Sequence, residues 1–364
     1  MHISELETPA VVVDLDVMER NLSHVADYCR AHHLLLRPHI KTHKIPELAR
    51  RQIASGATGI TVAKIGEAEV MLNAGIDDIL IAYPIVGTDK TERLARLAER
   101  AKVRVSIDSE EAARAISAAA SKQGTTIGIL VEMDVGFHRC GFSNENDLVA
   151  LAQKISELPA VEFKGLMFFP GHFGVTPEER VTLRAQVNEF LERTITAFER
   201  AAVPLAVVSG GSTPTAYEGG AFYGVNEVRP GTYIFNDRNT VAISAASLSD
   251  CALSVVVTVV STAVSGHAVV DGGSKTFSYD RFQGGDERGY GIVREDPAAE
   301  VERFSEEHGH LKIEGSERSY HVGDRLSIIP NHVCTTVNMH DEIYGVRGEQ
   351  VEEVWRVAAR GKVR

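Results

Sequence analysis

The sequence predicts an α/β protein made of a (β/α)8 TIM-type barrel followed by a C-terminal β-domain. Eight short apolar runs alternate with amphipathic helical segments over roughly 220 residues, and eight parallel strands close such a barrel. Beyond about residue 245 the long helices disappear, and short strand-like runs are separated by Gly, Asn and Asp turns. An open doubly wound sheet is the alternative architecture for the first part.

The predicted barrel strands are apolar throughout, as expected of a parallel sheet that is covered on both faces. They span residues 34–38, 58–62, 78–82, 103–107, 126–133, 163–169, 205–209 and 232–235. Apolar residues three or four apart predict helices between them, for example at 46–55, 91–101 and 110–122.

The change of pattern predicts two domains, a barrel over residues 15–245 and a β-domain over residues 246–364. The strand-like runs of the β-domain lie at 254–264, 267–273, 310–315, 324–339, 342–348 and 351–361. The apolar run AVVVDLD precedes the first helix, so we expect a strand at residues 8–14 to join the β-domain.

Charge and composition restrict the partners and the compartment. The 364-residue chain has a net charge of −12, which argues against binding to nucleic acid or to an anionic membrane surface. No apolar stretch approaches the length of a membrane helix, and the segment MHISELETPA lacks the features of a signal peptide. The four cysteines are scattered without a CxxC pair, which predicts free thiols and a cytoplasmic protein.

Polar residues follow the predicted barrel strands, at the end where a (β/α)8 barrel carries its active site. The segment RPHIKTHK, residues 37–44, ends the first strand and contains two lysines and two histidines. Comparable positions after later strands hold Tyr83, Asp108, Asp134, His138, Arg139, His172, Asn236 and Asp237. We therefore expect these side chains to converge at one end of the barrel.

The segment SGGSTPT, residues 209–215, has the composition of a phosphate-binding loop. Gly210 and Gly211 allow the backbone to approach a ligand, and the hydroxyls of Ser212 and Thr213 add hydrogen-bond donors. Barrels often bind phosphate in the loops after strands 7 and 8, where this segment is predicted to lie. An ordinary tight turn with a helix cap is the alternative.

Lys41 is the candidate nucleophile. At the end of a buried strand, lost solvation and the neighbouring charges of Arg37 and Lys44 would favour its neutral, nucleophilic form. A nucleophilic lysine combined with a phosphate loop suggests a Schiff base with pyridoxal 5'-phosphate. A solvated loop lysine is the alternative.

A third cluster lies in PNHVCTTVN, residues 330–338. His332 and Cys334 are two residues apart and would project from the same face of an extended segment. An imidazole and a thiolate together suit zinc, and two protein ligands leave the remaining positions open for water or substrate. A buried cysteine beside a hydrogen-bonded histidine is the alternative.

The likeness to a known family rests on segments spread nearly end to end: TPAVVVDLDVMERN, RPHIKTHK, DVGFHRCG, SGGSTPT, PGTYIFND, DGGSKTFSYD and PNHVCTTVN. With them the chain resembles the D-threonine aldolase and D-serine dehydratase family, fold-type III pyridoxal phosphate enzymes related to alanine racemase. The resemblance implies that Lys41, and not Lys44, carries the cofactor. It further implies Arg139 and Tyr233 near the cofactor, Gly210, Gly211, Ser212 and Thr213 around its phosphate, and His332 and Cys334 as ligands of a divalent metal.

The activity that the resemblance implies is that of a lyase acting on β-hydroxy D-amino acids. A dehydratase of the D-serine type yields a 2-oxoacid and ammonia, and an aldolase of the D-threonine type yields glycine and an aldehyde. The HxC pattern of His332 and Cys334 favours the dehydratase and zinc, because well-known aldolases of the family carry HxD and prefer manganese. In a dehydratase Lys41 takes the Cα proton; for a retro-aldol reaction the candidate bases are His172, His43 and a water on the metal.

Three other functions are compatible with parts of the pattern. An amino-acid racemase needs a second base but no metal. A non-catalytic pyridoxal phosphate-binding protein needs the barrel alone. In a third alternative, the metal has a purely structural role. Related enzymes form dimers, so we expect a homodimer. In that arrangement four residues are predicted near the partner's site, unless they form a plain hairpin loop: Asp271, Ser274, Lys275 and Asp280.

Overall fold

The computed structural model describes residues 1–282 and 289–364, and the chain divides into two compact units. The unit that we call the barrel unit comprises His24–Lys41, Pro46–Gly231 and Gly361–Arg364. The unit that we call the β unit comprises Met1–Ser23, Thr42–Ile45 and Thr232–Arg360.

The strands and helices follow one another in the order that the alternating pattern predicts. The strands are β1 (Ala10–Asp14), β2 (Leu35–Leu36), β3 (Ile60–Val62), β4 (Asp78–Ile81), β5 (Lys102–Ile107), β6 (Ile127–Met133), β7 (Val161–Phe168), β8 (Val207–Gly210), β9 (Glu227–Val228), β10 (Leu253–Ser261), β11 (His267–Val270), β12 (Gly291–Val293), β13 (Glu300–Phe304), β14 (Gly309–Lys312), β15 (Arg325–Pro330), β16 (Glu342–Arg347) and β17 (Gln350–Arg356). The helices are α1 (Leu15–Ala31), α2 (Pro46–Ala54), α3 (Ile65–Asn73), α4 (Thr88–Leu97), α5 (Glu110–Gln123), α6 (Glu145–Glu157), α7 (Pro177–Arg200), α8 (Arg238–Ala242), α9 (Ser274–Phe277) and α10 (Val333–Met339).

The barrel unit contains eight parallel strands, which confirms the predicted (β/α)8 fold. They hydrogen-bond in the order β2-β9-β8-β7-β6-β5-β4-β3. Hydrogen bonds close the ring between its first two segments: the Thr58 N–H donates to the Leu36 carbonyl and the Thr61 N–H to the Pro38 carbonyl, each at 2.8 Å. Most residues of the strands are buried, and in β6 all of them are, because helices cover the outer face of the sheet.

The eighth barrel strand was predicted wrongly. It is β9, whereas the predicted strand at residues 232–235 contains the 3₁₀ helix Thr232–Ile234. Pro230 has no N–H to extend the ladder, so the strand ends before it. The charge of Glu227 makes the true strand look like a loop in the sequence, but the Arg37 Nε donates to its Oε2 at 2.7 Å inside the barrel.

Paired charges fill the part of the barrel interior around Arg37. Its Nη1 donates to the Asp78 Oδ1 at 2.7 Å, and the Arg104 Nη2 donates to the same oxygen at 3.1 Å. Burial alone would raise the pKa of Asp78, but the two guanidinium groups outweigh burial and hold that pKa below its usual value. Arg37 therefore pairs with Asp78 and Glu227 in the barrel interior.

The β unit is built around a nine-stranded sheet in the order β11-β14-β13-β12-β15-β10-β1-β16-β17. An additional pairing between β10 and β11 closes six of these strands into a small barrel. Strand β1 lies between β10, to which it is antiparallel, and β16, to which it is parallel. The side chains of Val11 and Val13 in β1 are fully buried, which explains why this run is apolar.

The β-branched residues of segment 324–339 suggested a single strand, but the structure has a strand followed by a helix. Strand β15 ends at Pro330, and helix α10 begins after His332, whose backbone is extended. The Thr336 hydroxyl donates to the His332 carbonyl at 3.0 Å, which is a bond that threonine can make within a helix. The residues that resembled a strand therefore form the first turns of α10.

No helix in residues 1–282 or 289–364 combines the length and the apolar character that crossing a membrane requires.

Candidate functional site

Lys41 and Arg139 approach the same aromatic ring at the carboxyl end of the barrel strands. Lys41 is exposed, in the 3₁₀ helix Ile40–Thr42 that follows β2. Its Nζ lies 5.8 Å from the centroid of the Phe169 ring, and the Arg139 Cζ lies 4.6 Å from that centroid. Among the described residues, no hydrogen bond or ion pair holds the Lys41 amine. The structure therefore brings the predicted anchor and the predicted ring-side arginine together.

The two glycines of the loop after β8 are explained by packing and by backbone conformation. A Cβ at Gly210 would lie 2.1 Å from the Phe168 Cζ, and Gly211 has a φ of +92°. Glycine is therefore required at the first position by packing and favoured at the second by conformation. Ser212 and Thr213 are buried, and the Ser212 N–H donates to the Thr215 Oγ1 at 3.0 Å.

Arg229 contacts the end of β7 and the start of the glycine loop, and the sequence did not predict it as a site residue. Its Nη1 donates to the Ser209 Oγ at 2.5 Å and its Nη2 to the Phe168 carbonyl at 2.7 Å. Burial lowers the pKa of Arg229 to about 10, so the group is still charged near pH 7. Arg229 directly follows β9, and it was missed because the eighth strand was predicted at residues 232–235 instead.

The DVGFHRCG loop after β6 is organised by Asp134. Its Oδ1 accepts the backbone N–H groups of Gly136 at 3.0 Å and His138 at 2.9 Å, and its Oδ2 lies 2.8 Å from the His138 Nδ1. Burial would raise the pKa of Asp134, but the hydrogen bonds from His138 and Gly136 lower it overall. This carboxylate therefore shapes the loop that carries Arg139.

His172 lies in the 3₁₀ helix Gly171–Phe173 after β7. Within residues 1–282 and 289–364 its buried Nδ1 has no hydrogen-bond partner. A Cβ placed on Gly136 would lie 3.6 Å from the His172 Cε1, so the ring borders the DVGFHRCG loop. Burial lowers the pKa of His172, which favours the neutral imidazole that a general base requires.

In the β unit, His332 and Cys334 are brought into contact at the start of α10. The two side chains hydrogen-bond to each other, and the His332 Nδ1 lies 3.0 Å from the Asp237 Oδ2. The negative charge of Cys334 is the main cause that raises the pKa of His332 to about 11, followed by Asp237 and against the effect of burial. The pair was expected on one face of an extended segment; it meets instead where a helix begins.

The donor set of this cluster fits a zinc ion. Two hydroxyls lie near the Cys334 Sγ, the Thr42 Oγ1 at 3.3 Å and the Thr232 Oγ1 at 3.7 Å. In the described part of the chain, no group of three or more His, Cys, Asp or Glu side chains is arranged around one metal position. A soft thiolate and an imidazole would thus supply two ligands and leave the others to water or substrate.

Two further predicted site residues, Tyr233 and His43, belong to the β unit. Tyr233 is buried in the β unit. His43 is also buried there, where its Nδ1 accepts the Ile45 N–H at 3.0 Å.

The four residues predicted near a partner's site each have local interactions in the β unit. Asp271 accepts from the Thr8 hydroxyl at 2.6 Å, Lys275 pairs with Glu306 at 2.8 Å, and Asp280 hydrogen-bonds to Ser278 and Thr335. The Ser274 N–H donates to the Ser305 carbonyl. These bonds shape the segment itself, and proximity to a partner stays a prediction.

Comparison with known proteins identifies the family. The alanine racemase N-terminal domain model matches residues 13–239, and a serine dehydratase domain model matches residues 252–346. The D-threonine aldolase of Arthrobacter sp. is 33% identical, over 99% of this chain and 94% of its own length. The chain belongs to the D-threonine aldolase and D-serine dehydratase family. It is therefore an enzyme, a pyridoxal phosphate-dependent lyase.

Two further members of the family support this assignment. The D-threo-3-hydroxyaspartate dehydratase of Delftia sp. is 34% identical, over 91% of this chain and 92% of its own length. The crystal structure of a D-threonine aldolase from Filomicrobium marinum is 36% identical, with a TM-score of 0.93 over 99% of this chain and 98% of that one.

A D-threo-3-hydroxyaspartate dehydratase has also been solved with single alanine substitutions of a histidine and of a cysteine two residues later. The cysteine variant was solved in a metal-free form; it is 31% identical to this chain, with a TM-score of 0.90 over 98% of both chains.

Proposed function

We propose that this chain is a dehydratase of β-hydroxy D-amino acids that depends on pyridoxal phosphate and a divalent metal, with zinc as the metal. The observation that carries the proposal is the contact between His332 and Cys334, with Asp237 bonded to the imidazole. The same two-residue spacing separates the histidine and the cysteine substituted in a D-threo-3-hydroxyaspartate dehydratase, whose cysteine variant was solved in a metal-free form.

The barrel rim, meaning the loops after the barrel strands that carry Lys41, Arg139, His172 and Gly210 to Thr213, has the residues that the cofactor would need. Lys41 would bind it covalently, the glycine loop would hold its phosphate, and Arg139 would lie near its ring. The fit is supported by the loop itself, in which Gly211 has a φ of +92° and the hydroxyl-bearing Ser212 and Thr213 follow. When bound, pyridoxal phosphate supplies an electron sink for negative charge at the substrate Cα.

In the proposed reaction Lys41 moves the proton. Its Nζ would take the proton from the substrate Cα. Arg139, whose Cζ lies 4.6 Å from the centroid of the Phe169 ring, would supply a positive charge that stabilises the negative charge developing in the reaction. His332 and Cys334 would hold the metal, which supplies Lewis acidity for the substrate β-hydroxyl.

A retro-aldol reaction is the second candidate function. It is favoured by the relatives named D-threonine aldolase and by the unpartnered, buried Nδ1 of His172 at the barrel rim. In that reaction a base takes the proton of the β-hydroxyl, and the neutral imidazole of His172 could accept it. The products would be glycine and an aldehyde.

The deciding experiment incubates the enzyme, loaded with cofactor and zinc, separately with D-serine, D-threonine and D-threo-3-hydroxyaspartate. Dehydration gives pyruvate, 2-oxobutyrate or oxaloacetate with one ammonia per turnover, whereas cleavage of D-threonine gives glycine and acetaldehyde. Recovery of the L-amino acid would indicate a racemase instead. A predominance of glycine would overturn the dehydratase assignment in favour of the aldolase, and neither product set would contradict both.

We also propose that the enzyme is a cytoplasmic homodimer. The resemblance to the family supports the dimer, and cysteines that the structure leaves as free thiols in the described residues support the cytoplasmic location. Light scattering at several protein concentrations would test the dimer, and a monomeric mass at micromolar concentration would contradict it.

A further inference from the structure

Asp237 is a completely buried carboxylate with a donor on each oxygen. Its side chain has 0% exposure. Its Oδ1 accepts the Thr240 N–H at 2.9 Å, while its Oδ2 accepts the Val333 N–H at 3.2 Å and lies 3.0 Å from the His332 Nδ1. The carboxylate therefore joins the start of α8 to the start of α10, inside the β unit.

The two backbone contacts of Asp237 determine how its carboxylate interacts with His332. A peptide N–H can only donate, so the Thr240 and Val333 amides hold the carboxylate in place as an acceptor. An anchored acceptor beside His332 favours a proton on the imidazole Nδ1. The lone pair of the neutral ring is then on Nε2, the nitrogen available to a metal ion.

Capping of α8 does not explain the whole arrangement. A helix cap uses one side-chain oxygen, which here is the Oδ1 bonded to Thr240. The contact of Oδ2 with His332 spans 95 positions in the chain and contributes nothing to that cap. A serine or an asparagine would cap the helix equally well, whereas only a carboxylate offers His332 a charged acceptor.

We propose that Asp237 is the positioning residue of the metal site: it orients His332, fixes the proton on Nδ1 and presents Nε2 to the divalent ion. The inference rests on the proposed function, because it assumes that His332 and Cys334 bind the metal. A carboxylate in this position also makes the imidazole a stronger ligand, and loss of such partners typically weakens metal binding by about 10- to 100-fold.

The test measures zinc affinity directly, without substrate, by competition with a chromophoric chelator in the full-length protein. Asp237→Asn should weaken zinc binding by about 10- to 100-fold while the protein stays folded, because the amide retains an oxygen acceptor. Asp296→Asn is the matched control. Asp296 is a buried carboxylate of the same unit that accepts from Tyr320 at 2.6 Å, and its substitution should leave zinc affinity unchanged.

A second measurement separates positioning from mere stability. With Co²⁺ in place of zinc, Asp237→Asn should alter the visible spectrum of the bound ion, whereas Asp296→Asn should not, even if it lowers the Tm. Unchanged zinc affinity and an unchanged Co²⁺ spectrum in Asp237→Asn would overturn the inference and leave the dehydratase assignment to the product assay. Full zinc binding by His332→Ala would overturn it by removing the metal from this site.

Discussion

The barrel rim and the His332–Cys334 cluster differ in how completely the protein satisfies its own polar groups. At the rim, in the part of the chain that the structure describes, the Lys41 amine has no hydrogen bond or ion pair and the His172 Nδ1 has no partner. In the β unit, His332 is bonded to Asp237 and Cys334 has two hydroxyls nearby.

This difference indicates where ligands must contribute. A buried polar atom without a partner, such as the His172 Nδ1, costs free energy, so a ligand that satisfies it gains affinity. The exposed Lys41 amine is accessible to a ligand, and we therefore expect a ligand to complete the rim. The metal cluster has its imidazole already oriented by Asp237, so an ion would enter a nearly finished geometry.

Replacing Lys41 at the barrel rim is expected to have the largest effect on turnover. We expect Lys41→Ala to lose the covalent bond to the cofactor and to lower turnover by at least about 10²- to 10⁴-fold, because it also removes the group that moves the Cα proton. Borohydride reduction followed by peptide mass spectrometry would locate the modified lysine.

Lys44→Met is the matched control for Lys41→Ala. Lys44 is buried three residues further along the chain, and methionine keeps most of its aliphatic stem. We expect Lys44→Met to keep the adduct on Lys41. A reduced adduct on Lys44, or an intact adduct in Lys41→Ala, would contradict the assignment of the anchor.

Replacing Cys334 would test the metal side. Cys334→Ser should lose bound zinc and lower dehydration by more than about 100-fold, since the loss of an outer hydrogen-bond partner alone costs about 10- to 100-fold. Metal analysis after gel filtration and a product assay would measure the two losses. Cys29→Ala, at a buried thiol of α1, should retain both zinc and activity. If Cys334→Ser unfolds at lower temperature but keeps its turnover per folded molecule, the metal is structural.

In the barrel interior, unlike at the rim, buried charges pair with one another and stabilise the fold. We expect Glu227→Ala to lower the free energy of unfolding by about 3–5 kcal/mol, because it leaves the buried Arg37 guanidinium without its 2.7 Å partner. Urea denaturation would measure the change. The exposed pair of His2 and Glu349 is the control, and Glu349→Ala should cost less than about 1 kcal/mol. Equal effects would show that burial does not decide the strength of these pairs.

The smallest effect concerns the protonation of His172. Burial lowers its pKa below the ordinary value of about 6.5, so the stability that the neutral ring confers is complete above about pH 6.5. That contribution is lost as the pH falls through the lower, folded-state pKa. Denaturation of the wild type and of His172→Gln across this range should show a small acid-dependent loss in the wild type only. A His172 resonance that titrates above 6.5 would contradict the prediction.

The fold class and seven of the barrel strands could be predicted because they depend on local patterns. An apolar run such as β6 is buried on both faces and needs no knowledge of its neighbours. The eighth strand could not be predicted in this way, because Glu227 is neutralised by Arg37, 190 positions away. The helix α10 was missed for a related reason: its β-branched residues favour a strand locally, and the packing of the folded unit overrides that preference.

The site residues show the same limit. The rim positions followed from the rule that barrel loops carry the chemistry, and the structure brings Lys41 and Arg139 to one ring. Asp237 was noted as a polar residue after a strand, but its contact with His332 depends on a fold that joins distant segments. Arg229 was not predicted, because β9, the strand that precedes it, was not predicted.

The position of β1 has a consequence for the order in which the chain is made. Val12 pairs with Ser254 on one side and with Tyr344 on the other, whereas the last barrel strand, β9, ends at Val228. During synthesis all eight barrel strands emerge before β1 has either neighbour. Until then its valines, fully buried in the finished protein, remain uncovered and open to chaperones or to pairing with other nascent chains. Translation speed across residues 229–346 therefore sets how long that exposure lasts.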